Sequence, residues 1–268
     1  MKKRHDEPKS NWKKSDTKAK KTTNRFDTES IEGMRLNKYV AKSGVCSRRQ
    51  AADLIKKGEV SVNGKVVLEP FYQVQATDKI THKGKTLQPE LQLVYLLMNK
   101  PKDTITTASD EKGRRTVLDL IGKEIRERVF PVGRLDRMTT GLLLLTNDGD
   151  IAKKLSHPSH EIKKAYQVEL DKPLTEEDLL KIKKGLVLED GPTPVDEVGY
   201  ADGNAQNIIG IVIHIGRNRV VRRIFAHLGY EVVRLDRTYY AGLTKKDLGR
   251  GRYRHLTERE VVMLKHFS

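Results

Sequence analysis

The chain has 268 residues, with 52 lysines and arginines against 36 aspartates and glutamates, so its formal charge is +16 and its pI about 9.7. The length suits one large domain or two modest ones, and the basic excess favours a polyanionic partner such as nucleic acid. No apolar run approaches the roughly 18 residues that a membrane-spanning helix needs, and the N-terminal region lacks the apolar segment of a signal peptide. The single cysteine, Cys46, excludes an internal disulfide and a cysteine-based zinc site. We therefore expect a cytoplasmic protein that binds nucleic acid and no metal.

Residues 1–33 are rich in lysine, aspartate, threonine, serine and asparagine, and Trp12, Phe26 and Ile31 are their main large apolar side chains. Such a composition buries too little apolar surface to offset the entropy of ordering the chain. The sequence therefore predicts a disordered basic tail. The tail either adds phosphate affinity or only keeps the protein soluble.

Residues 34–88 form the first predicted domain, and residues 89–92 a linker. Leu36, Tyr39 and Val40 share one face of a short helix, and Ser47 is a good N-cap for a second one. Asn63-Gly64 then predicts a β-hairpin. Cations on this unit suit phosphate contacts, although a solvated helix face would carry the same residues. The candidates are Lys38, Arg48, Arg49 and Lys56.

Residues 93–268 predict a mixed α+β domain with a mostly antiparallel sheet, since hairpin-compatible strands alternate with a few helices and no run of βαβ units occurs. Residues 142–145 read as a strand buried on both faces, and residues 164–170 as an alternating strand. Residues 114–120 and 123–129 predict a helix interrupted at Gly122. Asp150 is expected to cap the helix that follows the buried strand.

Asp136 lies on the loop that enters the buried strand, between Arg134 and Arg137. Loops held by a rigid element commonly carry functional groups. A carboxylate there is solvated, paired with a cation or shifted in pKa. From the residues alone, an active acid and a structural salt bridge are equally good interpretations. Asp148 would complete a two-carboxylate hydrolase, but Asn147-Asp148-Gly149 is better interpreted as a turn.

Two segments of the chain resemble known families. Residues 34–87, with paired helices, a Ser-Arg-Arg helix start and a Val-Asn-Gly-Lys hairpin, resemble the S4-like RNA-binding domain. Residues 93–267 resemble the RsuA-type pseudouridine synthase family, in the branch with the RluB-like enzymes. The motif Gly133-Arg-Leu-Asp-x-x-Thr-x-Gly-Leu carries this second resemblance and is specific, because a chance match to all its fixed residues is remote.

The resemblance implies roles for five residues. It makes Asp136 the catalytic aspartate, Tyr166 the ring that packs on the target base, and Arg222 the arginine paired with Asp136. It also implies that Arg134 fills the space left by the extruded base and that Leu235 lines the base pocket. Arg219 and Arg223 join the expected RNA contacts; with Arg222 they would equally suit a helix face that binds phosphates without catalytic pairing.

The expected chemistry suits these residue types. Isomerisation of uridine breaks the bond from C1′ to N1 and joins C1′ to C5, so it needs a carboxylate beside the sugar. An adjacent cation would favour the ionised carboxylate, and an aromatic ring would support a flipped base. The sequence offers no phosphate-binding glycine loop, no dinucleotide fingerprint and no zinc spacing, so we expect no cofactor.

The resemblance implies a ribosomal RNA or an assembling ribosomal subunit as partner, with a preference for the large subunit. Nothing in the sequence indicates an obligate dimer, so we expect a monomer. A rival hypothesis is a non-catalytic RNA-binding factor in ribosome assembly with the same fold. Three positions depart from the family pattern: Val220 replaces a polar residue, Ile224 a methionine and Asp103 a glycine.

Overall fold

The structure is a computed structural model that describes residues 30–108, 110–202 and 205–266. Most of the predicted tail, residues 1–29, lies outside the described residues. Residues 30–33 are described, and the Gly33 backbone N–H donates to the Val74 carbonyl at 2.9 Å. In the described part of the chain, no helix is long and apolar enough to cross a membrane.

The N-terminal unit is a helical hairpin beside short strands. Its core contains Leu36, Val40, Ile55 and Ile80, all fully buried. The two helices are α1 (Leu36–Lys42) and α2 (Arg48–Lys56). The strands are β1 (Met34–Arg35), β2 (Val60–Val62), β3 (Lys65–Val66), β4 (Gln73–Val74), β5 (Ile80–His82) and β6 (Lys85–Thr86).

Local sequence explains two boundaries of this unit, and both predictions are confirmed. The Ser47 hydroxyl accepts the Gln50 backbone N–H, and the Gln50 side chain accepts the Ser47 backbone N–H, which forms a capping box at the start of α2. Asn63 and Gly64 both have positive φ, 51° and 79°, as a two-residue turn between β2 and β3 requires.

The second unit is built on one large mixed sheet. The strands of this unit are β7 (Tyr95–Lys100), β8 (Phe130–Pro131), β9 (Thr140–Thr146), β10 (Lys164–Leu170), β11 (Leu186–Leu188), β12 (Gly191–Thr193), β13 (Glu197–Asp202), β14 (Ala205–Ile213), β15 (Val232–Tyr240), β16 (Leu243–Thr244) and β17 (Tyr253–His255). Its helices are α3 (Gly149–Ser156), α4 (Glu176–Lys184), α5 (Val220–His227) and α6 (Glu258–Lys265).

The strand order in this sheet is β13-β14-β10-β15-β9-β7-β17, with β8 on β9 and β16 on β15. Neighbouring strands are antiparallel except β15 and β9, which run parallel. The strands β11 and β12 form a separate hairpin. The predicted α+β class with a mostly antiparallel sheet is confirmed.

Strand β9 is buried along its whole length, as predicted. Leu142 and Leu144 pack into one apolar cluster, with α3 and α6 side chains. Leu143 and Leu145 point to the other face, where they join a cluster that includes Leu135. The strand therefore separates two cores, and the loop before it is held from both sides.

Two sequence predictions are wrong. Residues 114–129 form only a 3-10 turn, Leu118–Leu120, and side-chain oxygens, one local and one distant, accept backbone N–H groups of the segment. The Thr116 N–H donates to the Asp119 carboxylate at 2.7 Å, and the Gly122 N–H donates to the Tyr253 hydroxyl at 2.9 Å. Segments this short form stable helices only with tertiary support.

Helix α3 is capped by Asp148, not by Asp150. The Asp148 carboxylate accepts the backbone N–H groups of Asp150 and Ile151 at 3.0 and 3.1 Å. It also accepts the Tyr95 hydroxyl at 2.7 Å. Since this buried carboxylate is committed to structure, the two-carboxylate hydrolase hypothesis loses its second acid.

Candidate active site

The loop before β9 is fixed from beneath by Lys100, the last residue of β7. Its ammonium lies 3.1, 3.1 and 2.7 Å from the carbonyl oxygens of Asp136, Arg137 and Thr139, and 3.0 Å from that of Pro101. Burial lowers the pKa of Lys100 to about 8, and the negative charge of Asp136 opposes that shift. The lysine therefore sets the path of the motif backbone and leaves the Asp136 side chain free for other contacts.

The second glycine of the motif is required by close packing. Gly141 has φ of +106°, and a Cβ atom there would lie 2.2 Å from the carbonyl oxygen of Arg237 on β15. Any side chain would push β9 away from β15 at the point where the two strands begin to pair. Because Gly141 makes this close contact, the motif loop that carries Asp136 joins the sheet at a fixed point.

Two further contacts shape the loop. The Thr106 hydroxyl donates to the Leu135 carbonyl at 2.8 Å, and the Arg137 guanidinium is ion-paired with Asp103. Asp103 has φ of 59°, in the left-handed region that favours glycine. This conformation explains why the family pattern has glycine there, and the carboxylate that replaces it holds Arg137.

Asp136 is half-buried, and its carboxylate has no hydrogen bond or ion pair among the described residues. Its charge acts on Lys100 beneath the loop and on Arg222 of α5. The carboxylate therefore has two cations in its electrostatic surroundings and no hydrogen bond or ion pair of its own with the described residues.

Arg222 is anchored to the sheet. One of its η N–H groups donates to the Val232 carbonyl at 2.7 Å, at the start of β15. Burial lowers the pKa of Arg222, the charge of Arg219 lowers it further, and the charge of Asp136 opposes both. The structure therefore places Arg222 within the electrostatic reach of Asp136, with the guanidinium bonded to a backbone carbonyl and not to the carboxylate.

Tyr166 lies on β10, directly opposite Arg237 of β15. Its half-buried side chain packs against two apolar clusters, one that includes Leu235 and one that includes Leu135 beside Asp136. Leu235 is 5% exposed, opposite Val168 of β10. The aromatic ring thus borders both the motif loop and the apolar floor that Leu235 helps to form.

The remaining predicted residues lie in different surroundings. Arg134 and Arg219 are exposed, on the motif loop and at the start of α5. Arg223 forms a two-fold contact with the Asp190 carboxylate, at 2.9 and 2.7 Å. Arg48 donates to the Asn37 side chain at 3.3 Å. On the N-terminal unit Arg49 and Lys56 are exposed and Lys38 is half-buried.

Val220 and Ile224, the two departures from the family pattern in α5, are 6% and 0% exposed and belong to the apolar cluster under the helix. They contribute packing at these positions. Their effect on an RNA surface can therefore only be indirect.

Sequence reasoning missed two buried cations, Lys100 and Arg237. The Arg237 ε N–H donates to the Leu142 carbonyl at 2.7 Å, and its guanidinium lies 4.5 Å from the centre of the Tyr240 ring. Lys100 could have been found from the sequence, because it is a lysine at the end of an apolar run, directly before Pro101. For Arg237, the only sequence signal was its alternation with Leu235 along β15.

Comparison with known proteins decides the family. The family described as RNA pseudouridylate synthase matches residues 94–227, and the S4 domain matches residues 34–80. The chain belongs to the RNA pseudouridylate synthase family.

Several relatives of this pseudouridylate synthase are similar over most of their length. Ribosomal large subunit pseudouridine synthase B of Bacillus subtilis is 44% identical, over 86% of this chain and 95% of the relative. The dual-specificity RNA pseudouridine synthase RluF of Escherichia coli is 35% identical, over 86% of this chain and 78% of the relative. A crystal structure of a pseudouridylate synthase is 30% identical, with a TM-score of 0.62, and covers 86% of this chain and 99% of its own.

The S4 domain of this pseudouridylate synthase is the helical hairpin described above. The match to the catalytic family ends at residue 227, before β15. Yet β15 lies in the middle of the sheet and carries Leu235 and Arg237. The site is therefore completed by a strand beyond the matched segment.

Proposed function

We propose that this pseudouridylate synthase isomerises a uridine of ribosomal RNA and that Asp136 is its catalytic residue. The observation that carries the proposal is the half-buried Asp136 carboxylate, unpartnered among the described residues, on a loop that Lys100 fixes by its backbone. A group held this way is ready to meet a substrate without first breaking a contact of its own.

Asp136 attacks the nucleoside and is released again as the free carboxylate when the product forms. The bond between C1′ and N1 breaks, the uracil turns, C1′ joins C5, and the hydrogen of C5 leaves to solvent while N1 takes up a proton. Reactant and product have the same composition, so the reaction consumes no co-reactant. The positive charges of Arg222 and Lys100 stabilise the ionised carboxylate by simple Coulomb attraction.

The base pocket is formed by the Tyr166 ring and by Leu235. Stacking of a flipped base on an aromatic ring contributes roughly 1–3 kcal/mol, which offsets part of the few kcal/mol that flipping costs. Arg134 is exposed next to the motif loop and supplies a cation for the gap that the base leaves.

The substrate is ribosomal RNA, and we favour the large subunit. The name of the Bacillus subtilis relative points there, while the S4 domain and the net charge of +16 support binding to structured RNA. We expect a cytoplasmic monomer that acts on free rRNA or on an assembling subunit.

The test is release of tritium from unmodified rRNA transcripts labelled with [5-³H]uridine, with large- and small-subunit transcripts assayed separately. The wild type should release tritium from the large-subunit transcript. Asp136→Asn should lower the rate by roughly 10⁴-fold or more, as loss of one catalytic group does, and should leave RNA affinity largely intact.

Asp247→Asn is the matched control, because Asp247 is exposed and its φ of 55° is one that asparagine tolerates. This variant should keep the wild-type rate. Full activity in Asp136→Asn would overturn the catalytic assignment. A wild-type protein that binds rRNA tightly but releases no tritium from either transcript would favour the assembly-factor hypothesis.

A further inference from the structure

A cleft of about 590 Å³ lies between the S4 domain and helix α3 of the catalytic domain. Its walls come from both domains and are mostly charged or polar. They are formed by Ser30, Glu32, Gly33, Met34, Arg35, Lys38 and Arg48 on the S4 side and by Gly149, Asp150 and Lys153 on the catalytic side. Sites for small drug-like ligands are predominantly apolar, so this lining suits a different kind of ligand.

The S4 side presents two arginines, Arg35 and Arg48, that are held in place without an ion pair to any described residue. The Arg35 guanidinium lies 5.1 Å from the centre of the Phe71 ring, which is 57% exposed. Stacking on a ring fixes the direction of a guanidinium and leaves its N–H groups available. Arg48 donates its ε N–H to the neutral side chain of Asn37, which likewise leaves the charge uncompensated.

The catalytic side adds Lys153, an exposed residue of α3 whose ammonium has no hydrogen bond or ion pair with the described residues. The acidic residues of the cleft are Glu32 and Asp150, and the Glu32 carboxylate already accepts the Ala76 backbone N–H at 2.7 Å. The lining therefore carries four positive charges, of Arg35, Lys38, Arg48 and Lys153, against the two negative charges of Glu32 and Asp150. The balance favours an anion that touches both walls.

We propose that this cleft holds a segment of RNA backbone, gripped at once by Arg35 and Arg48 of the S4 domain and by Lys153 of the catalytic domain. The inference rests on the proposed action on rRNA and adds a second contact region, away from Asp136. Since both domains bind the same strand, the RNA itself sets the angle between them. The domain orientation then fixes which uridine reaches the motif loop.

The test uses the full chain and unmodified large-subunit rRNA transcript, with affinity measured by filter binding over a series of KCl concentrations. Loss of one phosphate contact weakens binding and reduces the slope of log affinity against log salt by about 1. Lys153→Gln should show this change. Arg35→Gln should show a similar one, and the double variant should lose about 2 from the slope.

Lys183→Gln is the matched control, since Lys183 is an exposed lysine of a catalytic-domain helix, α4, that does not line the cleft. Its affinity and salt slope should equal those of the wild type. The proposal is overturned if Lys153→Gln behaves like this control, or if it loses affinity with no change of slope. Tritium release by the wild type is measured separately, so failure of the proposed reaction would not be mistaken for failure of the cleft.

Discussion

At the scale of single residues, the site depends on how three cations are used. Lys100 binds the backbone of the motif loop, Arg237 binds the backbone of β9, and Arg222 binds the backbone at the start of β15. Each charge is held by carbonyl oxygens instead of a carboxylate. Asp136 therefore remains the acid without a partner among the described residues around it, which is the property that chemistry at this position needs.

Arg222→Lys should lower the rate of pseudouridine formation by at least about 10-fold, the effect of losing roughly 1.4 kcal/mol in the transition state. One N–H of the guanidinium donates to the Val232 carbonyl, and the charge of the same group interacts with that of Asp136. The ammonium of lysine is a point charge, so it cannot bond the Val232 carbonyl and interact with Asp136 in the same geometry. The measurement is the single-turnover rate at saturating RNA. Arg259→Lys, an exposed exchange on α6, should leave it unchanged, and an equal rate in both variants would argue against a role for Arg222.

Lys100→Met should destabilise the protein by several kcal/mol. The substitution keeps the apolar stem but leaves buried carbonyl oxygens without their donor, and each unsatisfied group costs about 1–3 kcal/mol. Urea unfolding monitored by circular dichroism gives the free energy of unfolding. Lys102→Met, two residues further on and exposed, should change it little. Equal stability of the two variants would show that Lys100 does not hold the loop.

At the scale of elements, the junction of β9 and β15 carries the site. In the sheet that the described residues form, this is the one parallel pairing. It begins at Thr140 and Gly141, directly after the motif loop. The Thr140 hydroxyl donates to the Asp236 carboxylate at 2.8 Å, and Lys245 and Arg250 pair with the same carboxylate. The loop, the junction and this ion network therefore form one connected unit.

Gly141→Ala should destabilise the protein by about 3 kcal/mol or more, since a Cβ atom 2.2 Å from the Arg237 carbonyl forces the two strands apart and φ of +106° adds strain. Gly199→Ala is the matched control in β13, where a Cβ atom would meet nothing within 4 Å. That exchange should be neutral or slightly stabilising. Urea midpoints of the two variants measure the difference, and similar midpoints would contradict the close-packing explanation for the motif.

The sequence predicted the elements whose signals are local. The buried leucine run of β9, the alternation of β10 and the Ser47 cap of α2 all appear in the structure, because periodicity and capping are encoded within a few residues. The helix predicted over residues 114–129 does not form, since contacts with distant groups such as Tyr253 decide the path of the segment. Lys100 and Arg237 were missed for the same reason, since all their carbonyl partners except that of Pro101 are remote in sequence. The roles of Asp136, Tyr166 and Arg222 came from the family resemblance and stay predictions.

At the scale of the whole molecule, charge is distributed unevenly between surface and interior. Most of the basic excess lies on the surface, where it is available to a polyanion, but Lys100 and Lys164 carry ammonium groups inward. Lys164 donates to the Ile162 and His214 carbonyls at 2.9 and 2.7 Å. Burial lowers the pKa of each to about 8, and for Lys164 the charge of Arg237 lowers it further.

These two lysines give the protein an unusual pH dependence of stability. Between pH 8 and their ordinary value of 10.5, the unfolded chain keeps protons that the folded chain has released. Because the unfolded state then binds more protons, the free energy of unfolding rises with pH, by on the order of 1 kcal/mol per pH unit for each lysine. Burial raises the pKa of Tyr240 from 10 to about 12, so above pH 10 the unfolded chain loses a proton that the folded chain keeps. Stability should therefore increase from pH 8, reach a maximum near pH 10 and then fall.

Urea unfolding at a series of pH values from 7.5 to 11 measures this dependence of the free energy of unfolding on pH. The same series in a lysine variant shows how much of the dependence that lysine causes. Lys164→Met removes one of the two titrating ammonium groups, so the slope between pH 8 and 10 should fall by about half. Lys183→Met, which replaces an exposed lysine, should keep the full slope. A stability that is flat or declining from pH 8 to 10 in the wild type would mean that both buried amines hold their protons, because the carbonyl oxygens around them stabilise the ammonium form more than burial penalises it.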